Sequence, residues 1–512
     1  MRKVLLLPLL LGITLLPAFA EDDAFKLGVE AARQGNVPVA ISNFQKVLAQ
    51  DPRDAVSMSW LGFLYLKNGQ PADAVTWLVK AVKANPRAVD AQNNLGNAYM
   101  EMKQTDKAIA AYQEALNLKA DYFDARYNLA NAYMAQNTGS GVTNAIREYK
   151  QALNLQANNP DAHNNLGLAY TREAQGYISN AAQLTAPADK DRAAKMKQEG
   201  VRKYTLAATE FRSASQAAAN NATYWLNLAL ANREIASATG AVDARQNAIA
   251  ALKKAVGLQP DNYLAHMVLA DLYCENNLLT EATAEYAAAS RLKPDEFDPL
   301  YHLGDLYYKT GAYEPALTAY EKALKLRASD ASTLNNLGCV YFKTKRYPDA
   351  EATFVKATTA DPNFARAQAN LAAVYTAMGK SAEAVTCWQK VIKSDTRDVN
   401  ARLALANHYL NSNDLAKAEA LYREVLTINP NSVDANNALG TILYRQQKVE
   451  AAIQSFNRAL QIDQKYAPAL NNLGAMYEEK GQATRAAEMY RRALAVDPNY
   501  EDARKNLERL GK

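Results

Sequence analysis

Apolar residues recur along this chain in paired runs at helical spacing. Leu61, Gly62 and Tyr65 share one helical face, and Ala74, Leu78 and Ala81 share another. A turn, Asn68-Gly69-Gln70-Pro71, separates them, and Pro86 ends the second run. The pattern predicts an antiparallel helical hairpin, and it repeats. A small residue follows a leucine at Gly28, Gly62, Gly96 and Ala130, each 34 residues after the last. The same beat resumes at Ala270, Gly304, Gly338, Ala372, Ala406, Gly440 and Gly474. Gly167 and Ala229 stand between these runs at intervals of 37, 62 and 41, so that stretch carries 3, 28 and 7 extra residues. One hairpin cannot bury both its faces, so a fixed period of this size predicts a stacked array.

The other positions keep step. Around Gly338 stand Tyr341, Ala350, Phe354, Ala357 and Pro362; around Gly474 stand Tyr477, Ala486, Tyr490, Ala493 and Pro498. This arrangement resembles the tetratricopeptide repeat family, with its L-G-x2-Y, A-x3-F and closing proline. Thirteen units match, from about Asp22 to Tyr500. Departures are few: Ala31, Asn232 and Leu443 replace the usual tyrosine, and Ala120, Ala328 and Thr396 replace the proline. The resemblance implies an all-α fold, a right-handed superhelical solenoid of antiparallel helical hairpins, working through protein–protein contacts. Glycine inside a helix costs about 1 kcal/mol against alanine, so its recurrence marks close helix crossings. On that basis Gly338→Leu is expected to cost about 1–3 kcal/mol by overpacking. Tyr341→Ala is expected to cost about 3–5 kcal/mol as a large aromatic truncation.

The ends read differently. Residues 1–20 have the pattern of a secretory signal peptide: basic Arg2-Lys3, apolar Val4 to Leu16, and the small-x-small site Ala18-Phe19-Ala20. The repeats then occupy 21–500. Residues 501–512 form a charged amphipathic helix whose apolar side, Ala503, Leu507 and Leu510, is spaced to cap the last hairpin. The expected location is extracytoplasmic, a bacterial periplasm, with a secreted protein as the alternative. Without Arg2 and Lys3 the chain has 56 basic and 53 acidic residues, a net charge of +3, which gives no reason to expect nucleic acid or an anionic membrane as partner, and no later stretch reads as apolar enough for membrane insertion. Three cysteines, Cys274, Cys339 and Cys387, lie in separate units and read as small core residues.

No catalytic constellation, metal site or cofactor motif is recognisable. His163, His266, His302 and His408 are scattered without paired-ligand spacing, and there is no glycine-rich phosphate loop or activated cysteine. Most of the 29 tyrosines fall in repeat slots and read as core.

Two features go beyond a bare scaffold. Asn94, Asn128, Asn165, Asn227, Asn336, Asn370 and Asn472 each sit two residues before an anchor. Stacking would align them along an inner wall, where amides can pair with a peptide backbone whatever its side chains. This resembles the repeat region of O-linked N-acetylglucosamine transferases, whose asparagine ladder holds extended peptide; the catalytic domain of those enzymes has no counterpart here. The same amides can instead bond neighbouring helices. Trp60, Val268, His302, Ala404 and Ala438 interrupt the series.

The second feature is the extra length, which predicts elongated hairpins around 137–144, 174–203 and 236–244. About 14 residues per arm would make the middle one protrude by roughly 20 Å. Tyr177, Ile178, Ala181 and Leu184 are expected to face Ala193, Ala194 and Met196. Lys190, Arg192, Lys195, Lys197, Arg202 and Lys203 would then be free to dock an acidic partner. Neutral drift in surface loops is the competing explanation. The function read from these features is an exported adaptor or assembly factor without catalysis of its own, binding protein or extended peptide in its groove or on the central ridge. An accessory subunit of extracytoplasmic polysaccharide synthesis, export or glycosyl transfer is the alternative.

Overall fold

The computed structural model describes residues 23–511, so the expected leader, 1–20, lies outside the described residues. Within them are 27 α-helices, one short 3-10 helix at Pro187–Asp189 and no strand. The chain divides after Leu278 into two compact units. In each unit consecutive helices pair as antiparallel hairpins, and the hairpins stack in chain order as an all-α solenoid. The first helix of one hairpin also touches the first helix of the next, so the first helices form a wall.

Local sequence sets the helix boundaries. Many first helices open on a side-chain cap: Asp54 accepts from the Val56 and Ser57 amides, Asp330 from Thr333, and Asp398 from Ala401. Some second helices start on proline, as Pro71–Ala84 does, where the missing N–H removes no helical bond. Between the two, the chain turns through one residue with positive φ, always seven after the anchor in the regular repeats. Gly69, Gly311, Gly379 and Gly481 supply it without strain, and Asn137, Asn277 and Asn413 at little cost. Lys103, Lys345 and Gln447 hold the same conformation with φ near 60°. At Lys345 the turn closes by Lys345 N–H to Phe342 O (3.0 Å) and Arg346 N–H to Tyr341 O (2.8 Å). Lys345→Gly should therefore raise stability, by about 0.5–1 kcal/mol in urea unfolding, because it relieves a left-handed side chain at the cost of some chain entropy.

The anchors have a direct cause. A ring sixteen residues on packs directly against the glycine: a Cβ on Gly338 would sit 2.7 Å from Phe354 Cε1, and one on Gly440 or Gly474 would sit 2.6 Å from Phe456 or Tyr490. Those rings are the deepest groups in the fold; Phe44, Tyr112, Tyr320, Phe354, Tyr422, Phe456 and Tyr490 are all 0–1% exposed. Where the ring is tyrosine its hydroxyl needs an acceptor, and the residue after the anchor often provides it. Tyr112 donates to Asn97 (2.7 Å), Tyr149 to Asn131 (2.5 Å), Tyr320 to Asp305 (2.6 Å) and Tyr422 to Asn407. Where the ring is phenylalanine that residue is Val29, Leu168, Cys339 or Thr441 instead.

The tyrosines three after the anchor differ in burial: Tyr133, Tyr170 and Tyr273 are buried, and others are not. Tyr341, Tyr375, Tyr409 and Tyr477 are half-buried, each with a cation over its ring: Arg346 at 4.5 Å, Lys380 at 5.6 Å, Lys417 at 5.0 Å and Arg485 at 5.9 Å. At the C-terminal end, helix Glu501–Arg509 buries Ala503 completely and half-buries Leu507 and Leu510. Asn506 donates to Asn471 (3.0 Å), and Arg509 pairs with Glu478 (2.8 Å).

Candidate interaction site

The asparagine series lies on the wall of first helices, and its amide donors are largely used within the solenoid. Asn128 donates to Asn93 Oδ1 (3.0 Å), Asn227 to Asn164 (2.8 Å), Asn370 to Asn335 (2.9 Å) and Asn472 to Asn437 (3.0 Å). Asn165 donates to the Tyr127 hydroxyl (2.8 Å) and Asn131 (3.0 Å). Asn336 does the same toward Tyr301 (3.3 Å) and Asp305 (2.9 Å). Each bond crosses from one first helix to the preceding one, so the series stitches the wall. All six stay partly accessible. Sequence reasoning named the donors and missed the acceptors. The available signal was the doubled asparagine, Asn93-Asn94, Asn164-Asn165, Asn335-Asn336 and Asn471-Asn472, whose leading member receives the bond from the following repeat.

Asn94 stands apart. It is 4% exposed and makes no hydrogen bond to any described residue, but its amide atoms are not cut off from solvent. In the preceding hairpin the acceptor positions are held by Ser59 and Phe63. Asn370→Ala should therefore cost about 0.5–1.5 kcal/mol in equilibrium unfolding, since it removes a bond between helices, whereas Asn94→Ala should be close to neutral.

The elongated hairpin consists of helices Pro160–Gln183 and Lys190–Ala217, joined through the 3-10 turn Pro187–Asp189. Its arms meet along small residues: Ala174 and Ala181 on one, Ala193 and Gly200 on the other, all buried. A Cβ on Gly200 would lie 2.8 Å from Ile178 Cδ1, so the arms approach as closely as the anchor pairs do. Ala194, expected in this seam, is exposed; Ala193 and Gly200, seven apart, set the phase of the helix, and Ala194 lies about 100° off it. Of the six candidate docking cations, Lys203 is tied across the base to Glu173 (2.8 Å) and Arg202 is paired along its helix with Glu199. The Arg202 hydrogen bond holds the Glu199 carboxyl below its ordinary range. Lys190, Arg192, Lys195 and Lys197 are exposed, with no ion pair among the described residues. Beside the base of the hairpin lies a cleft of about 300 Å³ edged by Thr138, Val142, Arg172, Glu173, Tyr177 and Asn180.

The two flanking extensions are also helical. The second helix Gly139–Leu155 has 17 residues, and the pair Ala222–Thr239 and Val242–Leu258 has 18 and 17, against 13 and 14 in a regular hairpin such as Val89–Glu101 with Thr105–Leu118.

The remaining reactive groups have structural roles. His163 bonds Glu210 (2.6 Å) and Ala157 O (2.9 Å), His266 bonds Pro260 O (2.9 Å), and His302 stacks on Tyr286 at 5.0 Å. Burial pushes the Cys339 thiol up to about 11 and raises that of Cys387, so both stay protonated at neutral pH. Among the described residues no group of three or more His, Cys, Asp or Glu could hold a metal ion, and no helix is long and apolar enough to cross a membrane.

Family profiles cover most of this architecture. Tetratricopeptide repeat profiles match residues 31–95, 96–137, 142–172, 270–311 and 467–500. The profile described as cilia and flagella-associated protein 70 C-terminal domain matches 294–469. No curated protein matches the chain. Among solved structures, the C-terminal part of a TPR repeat-containing protein from Cytophaga hutchinsonii is 17% identical over 47% of this chain and 99% of its own, with a TM-score of 0.42. A tetratricopeptide repeat protein from Parabacteroides merdae is 17% identical over 49% of this chain and 99% of its own, with a TM-score of 0.39. YrrB, described as a TPR protein with an unusual peptide-binding site, is 21% identical over 38% of this chain and 100% of its own, with a TM-score of 0.33. With registered repeats in both units and repeat profiles matched at residues 31–137, 142–172, 270–311 and 467–500, the chain belongs to the tetratricopeptide repeat family.

Proposed function

We propose that this protein is an exported scaffold that brings protein partners together and performs no catalysis itself. The observation that carries the reading is the presence of two separate kinds of surface in one chain. One is the surface of the first helices, with partly accessible amides at Asn128, Asn165, Asn227, Asn336, Asn370 and Asn472, and with Asn94 in the same slot. The other is the elongated hairpin, with exposed Lys190, Arg192, Lys195 and Lys197 and with Arg202 and Lys203 already paired near its base. The wall offers hydrogen bonds to an extended backbone; the hairpin offers positive charge to an acidic surface. Support for export comes from the sequence of residues 1–20.

A pull-down from periplasmic extract with the tagged full chain, read by mass spectrometry, tests the scaffold. Stoichiometric protein partners are expected; recovery of polysaccharide alone would replace this reading with a glycan-handling one. N-terminal sequencing of the native protein should find Glu21 first. A chain beginning at Met1 would overturn export.

A further inference from the structure

One place on the wall is built differently. Between helices Ala55–Lys67 and Val89–Glu101 lies a pocket of about 160 Å³. Trp60 occupies the slot that asparagine takes in other repeats, and Phe63 occupies a slot that accepts hydrogen bonds elsewhere. Trp60 is fixed by stacking on Phe44 (5.6 Å, 9°) and by the edge of Phe63 (5.9 Å, 83°). Val56, 47% exposed, borders the opening, and the Asn94 amide lines the pocket.

That amide is the informative group. The Asn94 residue is 4% exposed and makes no hydrogen bond to a described residue, while its amide atoms stay open to solvent in the pocket, so they are free to pair with a ligand. The amide can give one hydrogen bond and accept another, the complement of a peptide group. The rest of the lining is largely apolar, and an apolar cavity of roughly 150 Å³ admits a benzene-sized group. The pocket also has an acidic border. Asp90 lines it, accepting from the Tyr122 hydroxyl (2.8 Å), and Asp124 follows one repeat later. Neither carboxylate has an ion pair among the described residues. Desolvation, and then the charge of Asp90, push the Asp124 carboxyl above its ordinary range, so the two aspartates repel each other.

We infer that this pocket anchors an extended peptide by one aromatic or branched aliphatic side chain next to a basic residue. The side chain fills the space beside Trp60 and Phe63, the adjoining peptide group pairs with the Asn94 amide, and the basic residue lies against Asp90 and Asp124. The inference rests on the peptide-scaffold reading above and names what that scaffold selects.

The test is fluorescence anisotropy of the full chain with labelled, end-blocked pentapeptides. The parent is Ala-Ala-Phe-Lys-Ala, with Phe→Ala and Lys→Glu versions. Replacing Phe by Ala should weaken binding at least about tenfold, the share expected from burying one large apolar side chain. Asn94→Ala should weaken the parent peptide about 3- to 10-fold, the range of one or two hydrogen bonds. Val56→Asp, a change at an exposed border position, should do the same by polarising the pocket mouth. The Lys→Glu peptide should bind weakest, and the parent's advantage over it should shrink as salt is raised. Val355→Ala, at an exposed position in the second unit, should leave the parent's affinity unchanged. If peptides bind but Asn94→Ala and Val56→Asp leave affinity unaltered, the pocket assignment is wrong while the scaffold stands. If no peptide binds, or a glucose oligosaccharide displaces the parent, both readings fall.

Discussion

Replacing Phe354 with alanine should destabilise the second unit by about 3–5 kcal/mol, the cost of emptying a fully packed aromatic site. The ring is 1% exposed and packs against Gly338, with Leu371, Val374 and Cys387 in the same cluster. Alanine would leave a cavity between two helices that have no side chain on the glycine side to close it. Gly338→Leu attacks the same contact from the other direction. Its first carbon would already lie 2.7 Å from the ring, so the helices must part. Combining Gly338→Leu with Phe354→Ala should recover part of the loss, because the new side chain occupies the vacated space; the coupling is read from a double-mutant cycle in urea. Hydrogen exchange in Phe354→Ala should show protection lost in the hairpins adjoining residues 331–360 and retained in helices Asp23–Arg33 and Val37–Gln50, since a stacked array passes strain mainly to its neighbours. Uniform loss along the chain would contradict nearest-neighbour stability.

That result separates two aromatic slots that look equivalent in the sequence. The repeat pattern puts Tyr341 and Phe354 on the same footing, and the first expectation assigned the large cost to Tyr341. In the structure Tyr341 is half-buried, with Arg346 over one face and its hydroxyl 3.4 Å from Glu321. Water replaces much of what Tyr341→Ala removes, so its cost should fall to about 1–2 kcal/mol, well inside the usual range for single substitutions. Period and offset say where a ring stands on its helix. Whether a neighbour covers it depends on the angle at which hairpins stack, which no single repeat encodes.

The fold was legible because one arrangement is written many times, and each copy corrects the noise in the others. Candidate sites lie where copies differ, and there the sequence was only partly informative. The asparagine slot was visible, but the destination of its amides depends on which residue the preceding helix presents. Asn93, Asn164 and Asn335 take up the donors of the following repeat, and only the combination of Ser59 and Phe63 leaves Asn94 unmatched. The same holds on the elongated hairpin. Six cations were visible as a cluster, yet Lys203 is bound by Glu173, thirty residues earlier, and that pairing follows from arm register rather than composition. The register in turn is set by Ala174, Ala181, Ala193 and Gly200, small residues that hydrophobicity alone ranks low.

Excising the outer part of that hairpin, Gln175 to Arg202, and closing the gap with a short turn should leave the array folded and remove one partner from the pull-down. The cut is placed by packing. Tyr170 and Tyr204 are 3% and 6% exposed and Ala174 is fully buried, so they belong to the solenoid and stay. The Lys203–Glu173 pair also stays and continues to join the two stems. Beyond it the arms pack mainly on each other, so their loss uncovers little of the repeat core. Circular dichroism and urea unfolding should change only in proportion to the helix removed. Binding should behave differently. Exposed lysines contribute little one at a time, so Lys190→Ala or Arg192→Ala alone should have small effects. Reversing Lys190, Arg192, Lys195 and Lys197 to glutamate together should release the same partner as the excision does. Raising salt should weaken that partner's binding to the intact chain, since these charges are solvent-exposed and screened. If the excised protein keeps every partner and restores function in a deletion strain, the hairpin is an ornament of the surface, and the wall of first helices carries the binding alone.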